Sequence, residues 1–462
     1  MRVLFINPPW VVHRRTNLWR RIASVMPPLG IAWLAAVLET NGHKAKILDA
    51  HAEGIAVADI PQWVRDNGPF DLVGITATTP LITTAMEIAR AVKSDFPSCH
   101  LVLGGVHPTV LPEEALSDRA VDVVVRGEGE LTVCDIAAEK PFEGIQGISY
   151  RKDGTIIHNP DRKLIADLDA LPFPAYHLLP MSKYRPAAGA AKRTPATSVL
   201  ATRGCPGKCT FCYRVFGHHL RVRSGRKVAE EVKMLQEQYG IKEVCFYDDT
   251  FTAVRREVRE FCLGIQDMRL DLTWSCFSRI DTFDEDTFRI MKESGCHQVM
   301  FGVETGDREI LKTINKRQDP DAVEGVIRSC QRLGLDVRAA FMLGNPGETE
   351  ESIRENIRYA VRLAPDLALF NIATPYPGTE MFEWAEKNNY LRTKNWDEYD
   401  LSAPILELPT ISSERVLHYY KVAHRSFLLR PGFIWKRLKK LRRAEELRSM
   451  VRGLRMLLGM RG

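Results

Sequence analysis

The sequence lacks a hydrophobic run long enough to cross a bilayer, and it is poor in cysteine. Spanning helices need about 18 or more consecutive apolar residues, and no stretch reaches that length. The chain opens on a strand pattern, Met1-Arg-Val-Leu-Phe-Ile-Asn, with no secretory signal, so we expect a cytoplasmic protein. Ten cysteines in 462 residues are too few for a disulfide scaffold, and the cytosol would keep them reduced. A hydrophobic content of 45% and a charged content of 26% exclude a disordered or collagen-like chain, and the length fits two to four domains.

An excess of positive charge is also missing from most of the chain. The net charge is +6, but residues 421–462 hold 13 Lys or Arg against 2 Glu. The other 420 residues carry 51 basic and 56 acidic side chains, a balance of −5. This distribution predicts a localised anionic partner for the tail, and we expect no nucleic acid along the whole surface.

Residues 1–137 alternate short β-rich runs with amphipathic stretches, which predicts an open parallel α/β sheet. Strands are predicted at residues 3–6, 46–48, 72–75, 101–103 and 121–125, with helices at 28–39 and around 85–92. In such sheets ligands bind beyond the carboxyl ends of the strands. No G-x-G-x-x-G motif follows the first strand, which disfavours a dinucleotide.

Residues 138–195 are rich in proline and weakly periodic, so they read as an extended connector. Residues 196–400 contain six further strand patterns, at 198–202, 243–247, 272–277, 298–303, 337–343 and 369–373, separated by helical patterns. Six βα units predict a partial (β/α)6 barrel with its chemistry at the carboxyl end of the strands. Residues 401–462 are predicted to be a helical carboxyl-terminal region. The predicted fold class is thus α/β, with an open Rossmann-like sheet, a partial barrel and a basic helical tail.

A run of three cysteines, Cys205, Cys209 and Cys212, follows the first barrel strand with C-x3-C-x2-C spacing. Three thiolates on one loop can converge on a soft metal centre, either zinc, copper(I) or an iron-sulfur cluster. A structural zinc site completed by His218 or His219 is the alternative reading. The position of the loop on a large α/β block favours a cluster with an open iron.

With Phe211 before its last cysteine, this run resembles the signature of the radical S-adenosylmethionine (SAM) superfamily. The resemblance implies a [4Fe-4S] cluster whose fourth iron is chelated by SAM, which is cleaved to a 5'-deoxyadenosyl radical. In that family the strand ends of the barrel hold SAM. We therefore expect SAM contacts from the matching positions here: Asp248, Ser278, Arg279, Glu304 and Gly344.

The amino-terminal block carries Asn-Pro-Pro, Pro-Leu-Gly-Ile, Gly-Gly-Val-His-Pro and Gly-Glu-Gly-Glu in that order. It resembles the cobalamin-binding domain that precedes the barrel in B12-dependent radical SAM enzymes, so the resemblance covers about residues 1–400. The implied cobalamin contacts are Pro8, Pro9, Thr76, Thr78, Gly104, Gly105, His107, Gly127 and Glu128. Residues 49–54 match a D-x-H-x-x-G cobalt-binding pattern, but they follow the second strand rather than the first. We therefore expect His51 to lie near the corrin without being the axial ligand.

Beyond Pro431, apolar residues recur every three or four positions between Arg and Lys, with Phe433 and Trp435 at the start. This pattern predicts a basic amphipathic helix, either lying on an anionic membrane surface or packed on the barrel. RNA binding is disfavoured, because aromatic residues do not interleave along the basic run.

The resemblance implies a B12-dependent radical SAM methyltransferase that methylates an unactivated carbon through methylcobalamin, with an external donor such as flavodoxin or ferredoxin. If the tail binds a membrane, a lipid or terpenoid such as a hopanoid becomes the favoured substrate; otherwise the substrate is a small molecule. Two alternatives stay open. One is a B12-dependent radical SAM cyclase, ring-rearranging or oxidative enzyme, and the other is a non-catalytic zinc-bearing binding protein.

Overall fold

The computed structural model describes residues 1–10, 24–187 and 189–440, with side chains as far as Trp435. The first domain is built on a seven-stranded sheet in the order β2-β1-β3-β4-β5-β6-β7. Its strands are β1 (Arg2–Asn7), β2 (Lys44–Asp49), β3 (Leu72–Thr76), β4 (His100–Gly104), β5 (Val123–Val125), β6 (Ile148–Lys152) and β7 (Thr155–His158). The helices are α1 (Leu29–Thr40), α2 (Ala50–Glu53), α3 (Ile60–Asn67), α4 (Ile82–Asp95), α5 (Val106–Val110), α6 (Pro112–Leu116) and α7 (Glu130–Ala137).

The first five strands are parallel, as predicted, and β1 lies between β2 and β3. Val3 and Phe5 pack on one face of the sheet and Leu4 and Ile6 on the other, because a central strand is covered by helices on both sides. The strand order reverses between β1 and β3. In open α/β sheets the crevice at such a reversal is the usual place for a ligand.

Two antiparallel strands extend this sheet beyond the expected domain boundary. β6 pairs with β5, and β7 pairs with β6. They lie in the segment for which the sequence predicted only an extended connector. The turn between them, Asp153-Gly154, carries positive φ angles at both residues, as a tight hairpin turn requires.

The second domain has a six-stranded, all-parallel sheet in the order β15-β14-β13-β12-β11-β8, which confirms the partial barrel. Its strands are β8 (Ala196–Val199), β11 (Glu243–Phe246), β12 (Thr273–Ser278), β13 (Cys296–Glu304), β14 (Asp336–Leu343) and β15 (Leu367–Ile372), and β9 (Thr202–Arg203) and β10 (Arg221–Val222) form a separate antiparallel ribbon. The helices around it are α8 (Gly225–Tyr239), α9 (Arg255–Asp267), α10 (Glu285–Glu293), α11 (Arg308–Thr313), α12 (Pro320–Arg332), α13 (Glu350–Leu363) and α14 (Glu380–Lys387).

Helices of the barrel begin where polar side chains satisfy their first amide groups. Ser224 caps α8, Asp284 caps α10, and Thr349 caps α13 in a reciprocal capping box with Ser352. These caps fix where the three helices begin, so the loops that lead into them from the preceding strands have defined end points.

After the barrel, α15 (Ser413–Leu428) packs against α13 and the outer barrel strands, and α16 (Pro431–Lys440) follows it. The Phe433 ring contacts that of Phe427 at 5.5 Å between centroids, whereas Trp435 is 61% exposed. The rest of the predicted amphipathic helix, residues 441–462, lies outside the described residues. Within the described part of the chain, no helix combines the length and the apolar character that crossing a membrane demands.

Candidate cofactor sites

The three cysteines lie on the loop that joins β9 to β10. Gly204 opens this loop with a φ of +92°, and a Cβ there would collide with the carbonyl of His219. Cys209 is buried at 8% exposure, Cys205 is half-buried and Cys212 is exposed. The loop is anchored at its middle, because the Thr210 amide donates to the carbonyl of Ile314 at 3.0 Å.

The Phe211 side chain anchors the same loop through apolar contacts. It packs on a small apolar cluster that includes Leu311, Met342 and Met381. The Met381 amide also donates to the carbonyl of Thr210 at 2.9 Å. The aromatic residue of the signature therefore holds the loop on the barrel rim.

Two cations face the cysteine loop. The Nη1 atom of Arg279 would lie 2.8 Å from a Cβ at Gly207, so its guanidinium touches the loop. Burial raises the pKa of the Cys209 thiol, while Lys316 and Arg279 act in the opposite direction. Their positive charges favour thiolates, the form that binds metals.

The three cysteines of the loop fit a [4Fe-4S] cluster, which proteins hold through cysteine thiolates. Within the described residues, no three His, Cys, Asp or Glu side chains are gathered closely enough to hold a single ion. In a [4Fe-4S] cluster each thiolate binds a different iron, so the sulfur atoms stand farther apart than ligands of one ion. His218 and His219, the proposed completions of a zinc site, are exposed.

Glu304 and Lys316 form a nearly buried ion pair beside the cysteines. The Lys316 Nζ lies 2.9 Å from a carboxylate oxygen of Glu304, and the side chains are 9% and 12% exposed. Glu304 ends β13 with a φ of +63°, a left-handed conformation that is rare for residues with a side chain. A charged pair at this strand end can bind the amino or carboxylate group of SAM.

The other predicted SAM residues lie at the same rim but have protein partners. Asp248 is fully buried and accepts from the amides of Ala201 and Thr202, and burial raises its pKa to about 7. Ser278 shares a hydrogen bond of 2.6 Å with Thr252. Arg279 binds the carboxylate of Asp281 through two nitrogens.

Gly344 lies in a loop held by the buried carboxylate of Glu348. Glu348 accepts from the amides of Gly344 at 2.6 Å and Asn345 at 2.9 Å. Burial raises the pKa of Glu348 to about 7. Asp248 and Glu348 therefore fix the conformation of the backbone at the rim.

The predicted cobalamin residues gather at the carboxyl edge of the first sheet, around the reversal between β1 and β3. Pro8 and Pro9 follow β1, Thr76 and Thr78 follow β3, Gly104 and Gly105 follow β4, and Gly127 follows β5. At Gly127 a Cβ would meet nothing within 4 Å, and at Gly104 it would meet only Val125, at 3.8 Å. Among the described residues, this edge is therefore bare backbone with the exposed residue Thr78, and it fits a broad, amide-rich ligand such as cobalamin.

Gly105 makes the tight turn that keeps the edge bare. It has a φ of +99° and a ψ of −172°, a region that is essentially restricted to glycine. A Cβ at this position would lie 2.7 Å from the carbonyl oxygen of Ala77.

Three residues near the first sheet are engaged with other side chains. His107 is 1% exposed and packs against Trp396, while its Nδ1 lies 3.3 Å from the hydroxyl of Thr79. Glu128 is buried in ion pairs with the ribbon that carries the cysteine loop. His51 lies in the short helix α2, half-buried, and its Nδ1 accepts from the Trp10 amide at 3.3 Å.

Sequence reasoning missed Lys316 and the arginines of the ribbon, Arg203 and Arg221. Lys316 lies in a loop 12 residues after Glu304, where no pattern marks it. Arg203 precedes Gly204-Cys205 directly, so its place beside the metal-binding loop was the only available signal.

Comparison with known proteins agrees with this arrangement. Residues 18–137 match the B12 binding domain and residues 199–360 match the Radical SAM superfamily. The chain is 38% identical over 443 residues to an uncharacterized methyltransferase of Pyrococcus horikoshii, with 94% of each chain covered. It is 27% identical to an anaerobic magnesium-protoporphyrin IX monomethyl ester cyclase of Rubrivivax gelatinosus, covering 94% of this chain and 78% of that one.

The fold is similar to that of the radical SAM methyltransferase TsrM from Kitasatospora setae with cobalamin and a [4Fe-4S] cluster bound. The TM-score is 0.67 at 20% identity, covering 85% of this chain and 76% of that one. With both domains matched and a relative 38% identical over 94% of the chain, the protein belongs to the cobalamin (B12)-binding, methyltransferase-like radical SAM enzymes, whose cofactors are a [4Fe-4S] cluster, SAM and cobalamin.

Proposed function

We propose that the protein methylates an unactivated carbon of an apolar substrate. One observation carries the proposal: the open glycine edge of the first sheet and the cysteine loop of the barrel are joined directly, through Glu128 and Arg203. When bound, the cluster with SAM supplies a 5'-deoxyadenosyl radical and cobalamin supplies a methyl group. An inert carbon must meet both reagents in one site, so two cofactor domains in contact suit this reaction.

The inner face of the barrel supports an apolar substrate. Val299 and Phe301 of β13 are fully buried toward the helices, so Met300 between them faces the interior. Met300 is half-buried, and strand pairing aligns it with Phe277, which is also half-buried. The ring of Tyr247 lies 5.2 Å from that of Phe277, and burial raises the pKa of Tyr247 to about 12, so its phenol stays protonated. These side chains can pack against an apolar substrate, and they can keep water away from a radical formed there.

The tail narrows the proposal to a lipid or terpenoid, for instance a hopanoid. Trp435 is exposed on α16, which lies within the most basic part of the sequence. An aromatic residue beside clustered Lys and Arg is typical of helices that lie on anionic membranes. Peripheral membrane binding would bring the enzyme to such a substrate.

A ring-closing enzyme is the second candidate, favoured by the 27% identity to the cyclase over nearly the whole chain. Arg338 is paired with Met300 across β13 and β14 and has the same orientation. Its charge can anchor a polar or anionic group of a ring substrate. In either reaction the cluster needs one electron, which we propose comes from a flavodoxin or ferredoxin.

The decisive experiment is product analysis after anaerobic reconstitution, with iron, sulfide, cobalt and zinc determined first. SAM labelled in its methyl group is supplied with lipid extract from a host in which the gene has been removed. Label transferred to a lipid supports the methyltransferase, and an unlabelled ring-closed product supports the cyclase. Protein that holds one zinc and no iron would refute both. Cys209→Ala serves as the inactive variant and Cys330→Ala, at a fully buried core cysteine, as its matched control.

A further inference from the structure

The base of the cysteine loop is tied to the first domain by a group of four buried charges. Arg203 ends β9 and Arg221 begins β10, and the two residues are direct partners in the antiparallel ribbon. The 17 residues between them, 204–220, include all three cysteines. Whatever holds this ribbon therefore holds the loop at both of its ends.

Glu128 lies between the two arginines. One of its oxygens accepts from Arg203 at 2.9 Å, and both accept from Arg221, at 2.9 and 2.8 Å. Arg203 also donates to Glu130 at 2.6 Å, so its guanidinium bridges two carboxylates. The exposures of the four side chains are only 4–10%, and the ion pairs lower the pKa of Glu128 despite its burial.

The position of Glu128 links this group to the cobalamin edge. Glu128 follows Gly127, which ends the glycine edge after β5, and Glu130 begins α7. From the same domain, the Trp33 ring lies 4.9 Å from the Arg203 guanidinium. Glu128 therefore lies at the edge that we assign to the corrin, and its partner Arg203 lies two residues before Cys205.

Stability alone is a weak reason for such a link. Removing four charges from water costs several kcal/mol per ion, and buried ion pairs often add little to folding. Two like charges directly opposite in a ribbon also repel each other unless an acid lies between them. The guanidinium of Arg203, which bridges two carboxylates, does however fix the distance and the angle between the ribbon and the first domain more narrowly than apolar packing would.

We propose that Glu128 and Arg203 are positioning residues that set the placement of the [4Fe-4S] cluster relative to the corrin. They touch neither reacting atoms nor SAM in this reading. Instead, the carboxylate of Glu128 neutralises the paired arginines and aligns the loop with the glycine edge. The proposal rests on the two cofactors shown by family membership and does not depend on which product is formed.

The test uses the full-length protein, reconstituted anaerobically with cluster and cobalamin. Electron paramagnetic resonance of the reduced cluster and cob(II)alamin reports the magnetic coupling between them, which depends on their separation. Glu128→Gln keeps the shape and removes the charge. We expect it to retain iron and cobalt but to lose or markedly change the coupling seen in the wild type.

Glu243→Gln is the matched control. Glu243 is also fully buried and paired, with His297 at 2.7 Å, but it lies at the opposite, amino end of the barrel. In the Glu243→Gln protein the magnetic coupling between the cluster and cob(II)alamin should equal that of the wild type. If Glu128→Gln loses a cofactor, Arg203→Lys replaces it, because lysine keeps the charge but lacks the two nitrogens with which Arg203 bridges Glu128 and Glu130.

The proposal would be overturned if either variant of the link held both cofactors and showed the same coupling as the wild type. So would loss of the cluster from both variants with cobalamin retained, because the link would then maintain the fold of the loop rather than its placement. Altered coupling in a protein that methylates no lipid would leave this proposal standing and refute only the proposed function.

Discussion

Replacement of Gly104 by tryptophan should weaken cobalamin binding without unfolding the first domain. Gly104 ends β4 on this edge, and among the residues that the structure describes a Cβ there would have only Val125 within 4 Å, at 3.8 and 3.9 Å. This is ordinary van der Waals distance, so a side chain at this position points into space that we assign to the corrin. Gly105 is unsuitable for the test, because its backbone strain and the 2.7 Å contact would cost roughly 2–6 kcal/mol of stability on their own.

The expected size of the effect follows from the fit of the ligand. Overlap of a bulky side chain with a well-packed partner costs about 1–3 kcal/mol, which corresponds to cobalamin binding weakened by about 5- to 150-fold. Gly104→Ala should instead leave the free energy of unfolding unchanged or raise it by up to about 1 kcal/mol, because alanine is better than glycine within a strand. Cobalt retained after gel filtration and the visible spectrum of bound cobalamin measure binding, and thermal melting measures stability.

Gly325→Trp is the control for the added indole. Gly325 is exposed on α12 of the barrel, outside the first domain, and a Cβ there meets nothing within 4 Å among the described residues. It should bind cobalamin like the wild type, and all three variants should keep their iron. Equal cobalt in Gly104→Trp and in the wild type, in folded protein, would show that the corrin does not lie on this edge.

Three further outcomes are expected. Substitution of Cys205, Cys209 or Cys212 by alanine should abolish cleavage of SAM to 5'-deoxyadenosine, measured by chromatography, and cleavage retained in all three would remove the cluster assignment. Truncation after Lys440 keeps the contact of Phe433 with Phe427 and should reduce binding to anionic liposomes without loss of iron; equal partitioning would refute the membrane role. Because burial raises the pKa of Glu348 from 4.5 to about 7, the folded state binds this proton more tightly, so the wild type loses stability as pH rises through that range. Glu348→Gln cannot titrate at this position, so it should not show this loss of stability. The difference in melting temperature, variant minus wild type, should therefore be larger at pH 8 than at pH 5. An equal difference at both pH values would contradict the raised pKa of Glu348.

Local patterns predicted most of the architecture. Most of the five parallel strands of the first sheet and the six of the barrel contain a run of three or more apolar residues, because strands covered on both faces bury side chains on both sides. The run from Cys205 to Cys212 was visible because its ligands are close in sequence. Strand ends such as Gly104-Gly105 were found because parallel strands place all their carboxyl ends at one edge.

Other features depend on contacts between distant segments. The β6–β7 hairpin joins the sheet only because the edge of β5 is available to it, and its proline-rich surroundings resemble a connector. Lys316 reaches the cysteine site because its loop folds back on the end of β13. No local pattern encodes either contact.

Glu128 shows why a correct motif can suggest an incomplete role. The Gly-Glu-Gly-Glu segment follows a strand on the cofactor edge, and sequence reasoning assigned Glu128 to the corrin. A lone carboxylate at that edge would stay in water, yet this one is buried because two arginines 75 and 93 residues away converge on it. The motif marks where two domains meet, beside the edge that we assign to cobalamin. If, as we propose, the two cofactors act on one carbon, residues that align the domains are constrained as strictly as those that touch a cofactor, and only the three-dimensional arrangement separates the two roles.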